Sequence, residues 1–258
     1  MDNSCISPRG LAAEFIGTMM LIVVAIGSIV LPQIVWGSTM PFEFVFINAI
    51  AVGFVLFALI ETFGPLSGAH FNPAVTIALT VSGECSPKKA GCYIGVQLAG
   101  ALAGALLIAL FFHDSLQEGL FYISNIDRSS IYLVLSELFC VFMLVGIIFG
   151  CVRGGSDRTP LVVGLFVGGM ILTTSSTMFA NPAVIVARIF TEAACGISPL
   201  SALYFMIAGI VGAVIAAFVF GWLYPKKLKK GEKCDAFDCS AKEGCGCERN
   251  AVLIDTEK

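Results

Sequence analysis

The sequence predicts an all-α membrane protein, with six transmembrane helices and two re-entrant half-helices in an inverted 3+3 repeat. Three observations predict this fold: the apolar composition, the lengths of the apolar runs and a motif that occurs twice. Hydrophobic residues make up 57% and charged residues 13% of the 258 residues, whereas soluble domains average about 25% charged residues. A chain of this composition is expected to lie in a lipid bilayer.

Six apolar runs are long enough to cross the hydrocarbon core of a bilayer, which takes roughly 20 residues in a helix. These runs cover residues 11–31, 44–63, 90–112, 131–151, 160–178 and 200–223. The first run carries Glu14 and lacks a convincing small-residue cleavage site, so it is interpreted as a retained span rather than a signal peptide. Two shorter apolar pieces, 72–81 and 181–190, cannot cross the core and are predicted to be half-helices.

Lysine and arginine indicate the orientation, because cytoplasmic loops carry an excess of both. In a six-span arrangement, one side of the membrane receives Arg9, Lys88, Lys89, Arg153, Arg158, Lys226, Lys227, Lys229 and Lys230. The loops on the other side, 32–43, 113–130 and 191–199, contain only Arg128 as a fixed positive charge. We therefore expect an integral protein of the plasma (inner) membrane with both termini in the cytoplasm.

The chain contains an Asn-Pro-Ala-Val motif twice. The two copies are Asn72, Pro73, Ala74, Val75 and Asn181, Pro182, Ala183, Val184. Three spans accompany each copy, and an odd number of spans makes the second copy enter the membrane in the opposite direction, as in the inverted repeats of transport proteins. The predicted organisation is a transmembrane domain over 1–224, with repeats at about 11–112 and 131–224, and a flexible Lys- and Cys-rich tail over 225–258.

The two half-helices predict an aqueous path, because irregular backbone at membrane depth must be buried in protein or line water. Asn is a favoured N-cap and Pro suits the first helical position, so each motif is expected to begin a half-helix near the membrane centre. The two helix dipoles would direct roughly half a positive charge each at one place and repel cations. Each Asn amide would keep an N–H₂ group to donate to a passing oxygen. This arrangement suits neutral solutes that form hydrogen bonds.

The segments around the two motifs resemble the paired signature loops of the aquaporin (major intrinsic protein) family. These segments are Ser67–Thr76 (Ser-Gly-Ala-His-Phe-Asn-Pro-Ala-Val-Thr) and Phe179–Ala183 (Phe-Ala-Asn-Pro-Ala). The resemblance covers about 11–224, includes Ala13–Thr18 (Ala-Glu-Phe-Ile-Gly-Thr) and excludes the tail. One Asn-Pro-Ala is a weak signal, whereas two at mirrored places are specific. The resemblance implies a passive channel for water and small uncharged solutes, built as a homotetramer with a pore in each subunit.

The resemblance also implies which residues form the pore. Asn72 and Asn181 would meet at its centre. The carbonyl groups expected to line the path are those of Gly68, Ala69 and His70 on the cytoplasmic side and of Thr177, Met178 and Phe179 on the outer side. The selectivity filter is assigned to Val52, a position near Ile171, Val184 and Arg188.

The filter departs from the pattern of most of the family, in which an arginine directly follows the second Asn-Pro-Ala. Val184 occupies that position and the arginine is Arg188, which should keep a similar facing about 6 Å nearer the outer mouth. Val52 stands where water and glycerol channels often carry an aromatic residue, and the fifth span offers no histidine, the mark of strict water selectivity. The pattern Asn-Pro-Ala-Val-x-x-Ala-Arg resembles a bacterial branch associated with neutral metalloids. Glycerol-like polyols or undissociated arsenite are therefore the predicted solutes, and a strictly water-selective channel is the alternative.

Four residues have alternative interpretations. Glu14 and Glu137 could relay protons, but their symmetric places favour a role in holding the irregular loop backbone. His70 could gate the pore by titrating near neutral pH, although a fixed wall residue is favoured. Arg188 could be a charge at the outer rim, paired with Glu192 one turn later.

The tail contains four cysteines among charged residues: Cys234, Cys239, Cys245 and Cys247. Four soft ligands could bind Zn²⁺ or a thiophilic metalloid, although the spacing is not that of a zinc finger, and the alternative is a disordered tail with free thiols. The chain has no nucleotide-binding motif and no convincing catalytic triad, so we expect no enzyme activity, no cofactor and no nucleic-acid partner. An ion-coupled carrier and a non-conducting sensor remain rival functions.

Overall fold

The structure is a computed structural model that describes residues 6–116 and 122–226. The four tail cysteines lie outside the described residues, so their metal or metalloid binding stays a prediction. The described part of the chain contains eight α-helices and one π-helical turn: α1 (Pro8–Val30), the π-helical turn (Leu31–Val35), α2 (Pro41–Ser67), α3 (Pro73–Val81), α4 (Pro87–Phe111), α5 (Ile131–Gly154), α6 (Thr159–Thr173), α7 (Pro182–Arg188) and α8 (Pro199–Leu223). Six of these α-helices begin with a proline, whose fixed φ and missing N–H suit the first helical position.

Five of the described helices are long and apolar enough to cross a membrane: α1 with its π-helical extension, α2, α4, α5 and α8. Helix α6 is also apolar but has 15 residues, about 22 Å at a rise of 1.5 Å per residue. The predicted span 160–178 is therefore too long, because the chain leaves the helix at Thr174 and enters the loop before α7. With α6 as the sixth span, the predicted all-α fold with two half-helices is confirmed.

The same helix contacts recur in the two halves. Helix α1 packs on α4 as α5 packs on α8, and α3 contacts α8 as α7 contacts α4. Close approach depends on glycine: a Cβ at Gly100 of α4 would lie 2.5 Å from the Phe15 carbonyl oxygen of α1. The backbones of α2 and α6 also approach closely. A Cβ added at Gly53 would lie only 2.9 Å from the Gly164 carbonyl oxygen. Small residues at such crossings allow helices to pack in lipid.

The two half-helices begin at the predicted motifs. Asn72 is the N-cap of α3, and its Oδ1 accepts from the Ala74 N–H at 2.8 Å. Asn181 caps α7 in the same way, with the Ala183 N–H at 2.9 Å. Helix α3 contacts α7 directly, so the fold brings the two motifs together inside one compact unit.

Candidate functional site

The two motif asparagines are joined across the repeat. The Asn72 Nδ2 donates to the Ala180 carbonyl at 2.8 Å, and the Asn181 Nδ2 donates to the Phe71 carbonyl at 2.8 Å. Each amide therefore keeps one N–H for another acceptor, rather than the complete N–H₂ group expected from the sequence. Both asparagines line a central cavity of about 370 Å³, and the remaining donors can serve a solute within it.

The loops before the two motifs have unusual backbone conformations. The described non-glycine residues with positive φ are all in these loops: Ala69, Phe71, Thr177, Met178 and Ala180. Such conformations are uncommon and persist only when the surroundings hold them. Of the residues predicted to line the path, the cavity is lined by Gly68, Ala69, His70, Met178 and Phe179, whereas Thr177 is not among its lining residues.

Glu14 holds the first loop. Its carboxylate is fully buried and accepts from the backbone N–H groups of His70 at 2.9 Å and Phe71 at 2.8 Å. The Ser67 hydroxyl at 2.7 Å and the Gln97 amide at 2.7 Å also donate to it. The carboxylate thus satisfies two loop N–H groups that have no helical partner, and the two side-chain donors fix its own position. These four bonds explain how the loop keeps its conformation.

Glu137 holds the second loop in the equivalent way. This buried carboxylate accepts from the Phe179 N–H at 2.9 Å and the Ala180 N–H at 2.7 Å, each on a different oxygen. His70, two residues before Asn72, is fixed by a 3.1 Å contact between its Nδ1 and the Thr76 Oγ1. Both carboxylates thus support the loops from behind the cavity, whereas His70 is a fixed residue of the cavity lining.

The four predicted filter residues line the same cavity: Val52 from α2, Ile171 from α6, and Val184 and Arg188 from α7. Further apolar walls come from Leu21, Leu56, Leu144, Ile148 and Val167. At the opposite end of the lining, Glu84 and Lys89 lie beside the start of α4. The cavity is therefore mainly apolar, with polar groups at the motifs and charged groups toward both ends.

Arg188 is buried in the cavity wall, with 4% of its surface exposed. Its Nη2 donates to the Ala25 carbonyl at 3.1 Å, and its Cζ lies 4.2 Å from the centroid of the Phe179 ring. Its Nε has no hydrogen-bond partner within the described part of the chain. A buried N–H without a partner is costly, so the other contacts of the guanidinium must offset this cost.

Sequence reasoning missed three contributors to the site: Gln97, Arg128 and the ring of Phe179. Gln97 donates to Glu14 from α4, and no local pattern marks it. Arg128 stood out only as the single positive charge of the outer loops; its Cζ lies 5.0 Å from the Phe179 centroid. Burial and the nearby Arg188 charge lower the pKa of Arg128. Burial raises the pKa of Cys195, which lies in the loop between α7 and α8.

Six membrane helices surround the cavity, and one capped half-helix from each sequence repeat enters it. This architecture is that of a membrane channel. The sequence matches the family model described as major intrinsic protein over residues 3–179. The chain therefore belongs to the major intrinsic protein family, and the predicted family and channel class, a channel for water and small solutes in a membrane, are confirmed.

Several known proteins are similar to this chain. Aquaglyceroporin AqpS of Rhizobium meliloti (strain 1021) is 36% identical over 215 residues, which cover 83% of this chain and 90% of that protein. Human aquaporin-5 is 28% identical over 235 residues, covering 87% and 84%. The X-ray structure of the aquaglyceroporin from Plasmodium falciparum aligns with a TM-score of 0.66 at 22% identity, covering 82% of this chain and 94% of that one. This last similarity supports the fold.

Proposed function

We propose that the channel conducts water together with small uncharged solutes, glycerol-like polyols and undissociated metalloids such as arsenite, by facilitated diffusion. The observation that carries this proposal is the apolar opening: Val52 and Ile171 line the cavity together with Arg188. Aliphatic side chains at both positions leave room for a solute larger than water. The similarity to a protein named aquaglyceroporin supports the same solute class.

The polar groups of the cavity favour neutral solutes over ions. Asn72 and Asn181 each offer one N–H, and two half-helix starts contribute partial positive charges near them. Arg188 adds a full positive charge to the same cavity. Cations would be repelled, and an anion would have to give up its water to enter mainly apolar walls. Hydroxyl groups can accept from these donors without either penalty, and the proposed function includes no enzymatic step.

The assembly is proposed to be a homotetramer in the plasma membrane with both termini in the cytoplasm. Large apolar side chains are exposed along the spans of the single chain, including Phe54 of α2, Leu165 of α6 and Trp222 of α8. Surfaces of this kind must meet lipid or another copy of the chain. The four tail cysteines are proposed ligands for a soft metal or metalloid, which zinc titration of the complete chain would test.

A filter substitution tests the solute range. Val52→Phe should narrow the opening and reduce glycerol and arsenite entry into proteoliposomes, with a smaller effect on water. Ile50→Phe is the matched control, because Ile50 lies on α2 with 39% exposure and is not among the residues lining the cavity. An unchanged glycerol-to-water permeability ratio in Val52→Phe would contradict the assignment of Val52 to the filter.

A further inference from the structure

One backbone oxygen brings three helices together beside the cavity. The Ala25 carbonyl of α1 accepts from the Asn48 Nδ2 of α2 at 3.0 Å and from the Arg188 Nη2 of α7 at 3.1 Å. All three residues are buried, so water competes little for these bonds. Ala25 and Arg188 line the cavity, whereas Asn48 is not among its lining residues. The Ala25 oxygen therefore connects an amide behind the cavity wall to a charged group in that wall.

Asn48 is fastened to α1 by both N–H groups of its side-chain amide. The second N–H donates to the Ser28 hydroxyl at 2.8 Å, and Ser28 follows Ala25 by three residues, which places both on one side of α1. Hydrogen bonds of this kind between helices stabilise packing in lipid. Val52 follows Asn48 by four residues and shares its face of α2. The amide therefore fixes the part of α2 that carries Val52 against the part of α1 that carries Ala25.

Arg188 depends on the same carbonyl. Within the described residues, the bond to Ala25 is the one hydrogen bond that its guanidinium donates, and its Nε has no partner there. Its remaining close contact is with the ring of Phe179, which packs in turn on Phe205. A ring attracts a cation over a range of distances, up to about 6 Å from its centroid, whereas a hydrogen bond limits both distance and angle. The place of the Ala25 oxygen therefore determines where the charge of Arg188 lies.

We propose that Asn48 is a positioning residue of the pore, which sets the place of the Arg188 charge through the Ala25 carbonyl. Val52 is tied to this carbonyl through α2, and Arg188 through its own bond, so the spacing between these two lining residues depends on the Asn48 amide. Without that amide, α1 and α2 would separate here and the guanidinium would follow the displaced oxygen. The opening would become wider. This inference rests on the proposed conduction of uncharged solutes.

The alternative role of Asn48 is only to hold α1 against α2, and Ser28 separates the two roles. Ser28 accepts from Asn48 but is not among the residues lining the cavity, and its recorded bonds do not involve Arg188. Ser28→Ala therefore removes one bond between the helices and leaves the Ala25 carbonyl with both of its donors. Asn48→Ala removes the bond to Ser28 and the bond to Ala25 together.

The test compares glycerol and water permeability of proteoliposomes carrying wild type, Asn48→Ala, Ser28→Ala, Arg188→Leu and the double variant of Asn48→Ala with Arg188→Leu. Asn48→Ala should raise the glycerol-to-water ratio roughly three- to tenfold, the factor that corresponds to about one hydrogen bond. Ser28→Ala is the matched control and should keep the wild-type ratio. The double variant should match Arg188→Leu alone, because Asn48 acts through the arginine.

Melting temperatures in detergent separate positioning from folding, because loss of a bond between helices lowers stability in Asn48→Ala and Ser28→Ala alike. If Asn48→Ala does not fold, Asn48→Leu replaces it; leucine fills the volume without a donor and should shift the ratio in the same direction. A wild-type ratio in a folded Asn48 variant, an equal shift in Ser28→Ala, or effects that add in the double variant would overturn the inference.

Exclusion of glycerol by wild type would contradict the proposed solutes, and it would leave the role of Asn48 open to the same comparison with water alone. In that case a change of water permeability in Asn48→Ala that disappears in the Arg188→Leu background would support the positioning role. Equal water permeability of wild type and Asn48→Ala would overturn it.

Discussion

Glu137 shows how one buried charge determines a loop at the residue scale. Its two oxygens accept separately from the Phe179 and Ala180 N–H groups, and both residues belong to the segment that lines the cavity. A carboxylate is the side chain best suited to this task, because it carries acceptors only. The residue therefore supports the pore without needing to exchange protons with it.

Glu137→Gln should lower the free energy of unfolding by about 2 kcal/mol, because the amide nitrogen would face a backbone N–H and leave it unsatisfied. Glu61→Gln is the matched control: Glu61 is exposed on α2 and its substitution should have no effect. Thermal unfolding of the purified proteins in detergent measures both. Equal melting temperatures for the two variants would argue against the loop-holding role of Glu137.

The sequence could predict the residues that stand in a repeated motif. Asn72 and Asn181 follow from the motif and from N-cap chemistry, and Glu14 and Glu137 follow from their symmetric places. The partners Gln97 and Arg128 could not be predicted, because their contacts join residues far apart in the chain and neither contact repeats in the other half. The orientation of the Phe179 ring likewise depends on the packing of three segments.

Helices α2 and α6 form the element-scale contact that positions the filter. A Cβ at Gly164 would lie 2.6 Å from the Gly53 oxygen, and one at Gly168 would lie 2.9 Å from the Ala49 oxygen. Val52 directly precedes Gly53 on α2, and Ile171 lies about one turn after Gly168 on α6. The width of the cavity between the two helices is therefore sensitive to how closely their backbones approach.

Gly164→Ala should destabilise the protein by about 1–3 kcal/mol, the usual effect of overpacking, and should also change water permeability by moving α6 away from α2. Gly169→Ala is the matched control on the same helix, because no heavy atom lies within 4 Å of its added Cβ. That variant should be neutral or slightly stabilising. Melting temperature and stopped-flow water permeability would be measured for both, and similar behaviour of the two would contradict the contact.

Helix starts could be predicted more closely than helix ends. Proline marks the first residue of six described α-helices, and the half-helices begin where Asn-Pro predicts. The predicted end of α6 was wrong, because the span 160–178 included the polar stretch Thr173–Thr177, whereas the helix ends at Thr173. Five consecutive hydroxyl side chains, which compete with the helix backbone for hydrogen bonds, mark this end in the sequence.

The two repeats are tied together at the whole-molecule scale by Arg153 at the end of α5. Its Nε contacts the Glu84 carboxylate at 2.9 Å, and its Nη1 donates to the Tyr224 carbonyl at 2.8 Å. Glu84 follows α3 of the first repeat and lines the cavity. One buried guanidinium therefore joins the mouth of the cavity to the last residue of the second repeat.

Glu84→Gln should lower the free energy of unfolding by about 2 kcal/mol, below the roughly 3–5 kcal/mol for breaking a fully buried pair, because the Glu84 side chain is 24% exposed. Asp157→Asn is the control: its contact with Arg158 spans 3.9 Å between exposed side chains, and such pairs contribute little. Denaturation in detergent would measure both, and an equal effect would contradict the tie between the repeats.

Conduction by wild type tests the central claim most directly. Purified protein would be reconstituted into liposomes, and stopped-flow volume changes would be followed under an impermeant osmolyte and under glycerol, with arsenite uptake in parallel. We predict rapid water flow together with glycerol or arsenite entry that rises with the solute gradient without saturating and does not respond to ion gradients. Fast water flow with both solutes excluded would show a strictly water-selective channel, and saturable flux that follows an ion gradient would show a carrier; either result would contradict the account.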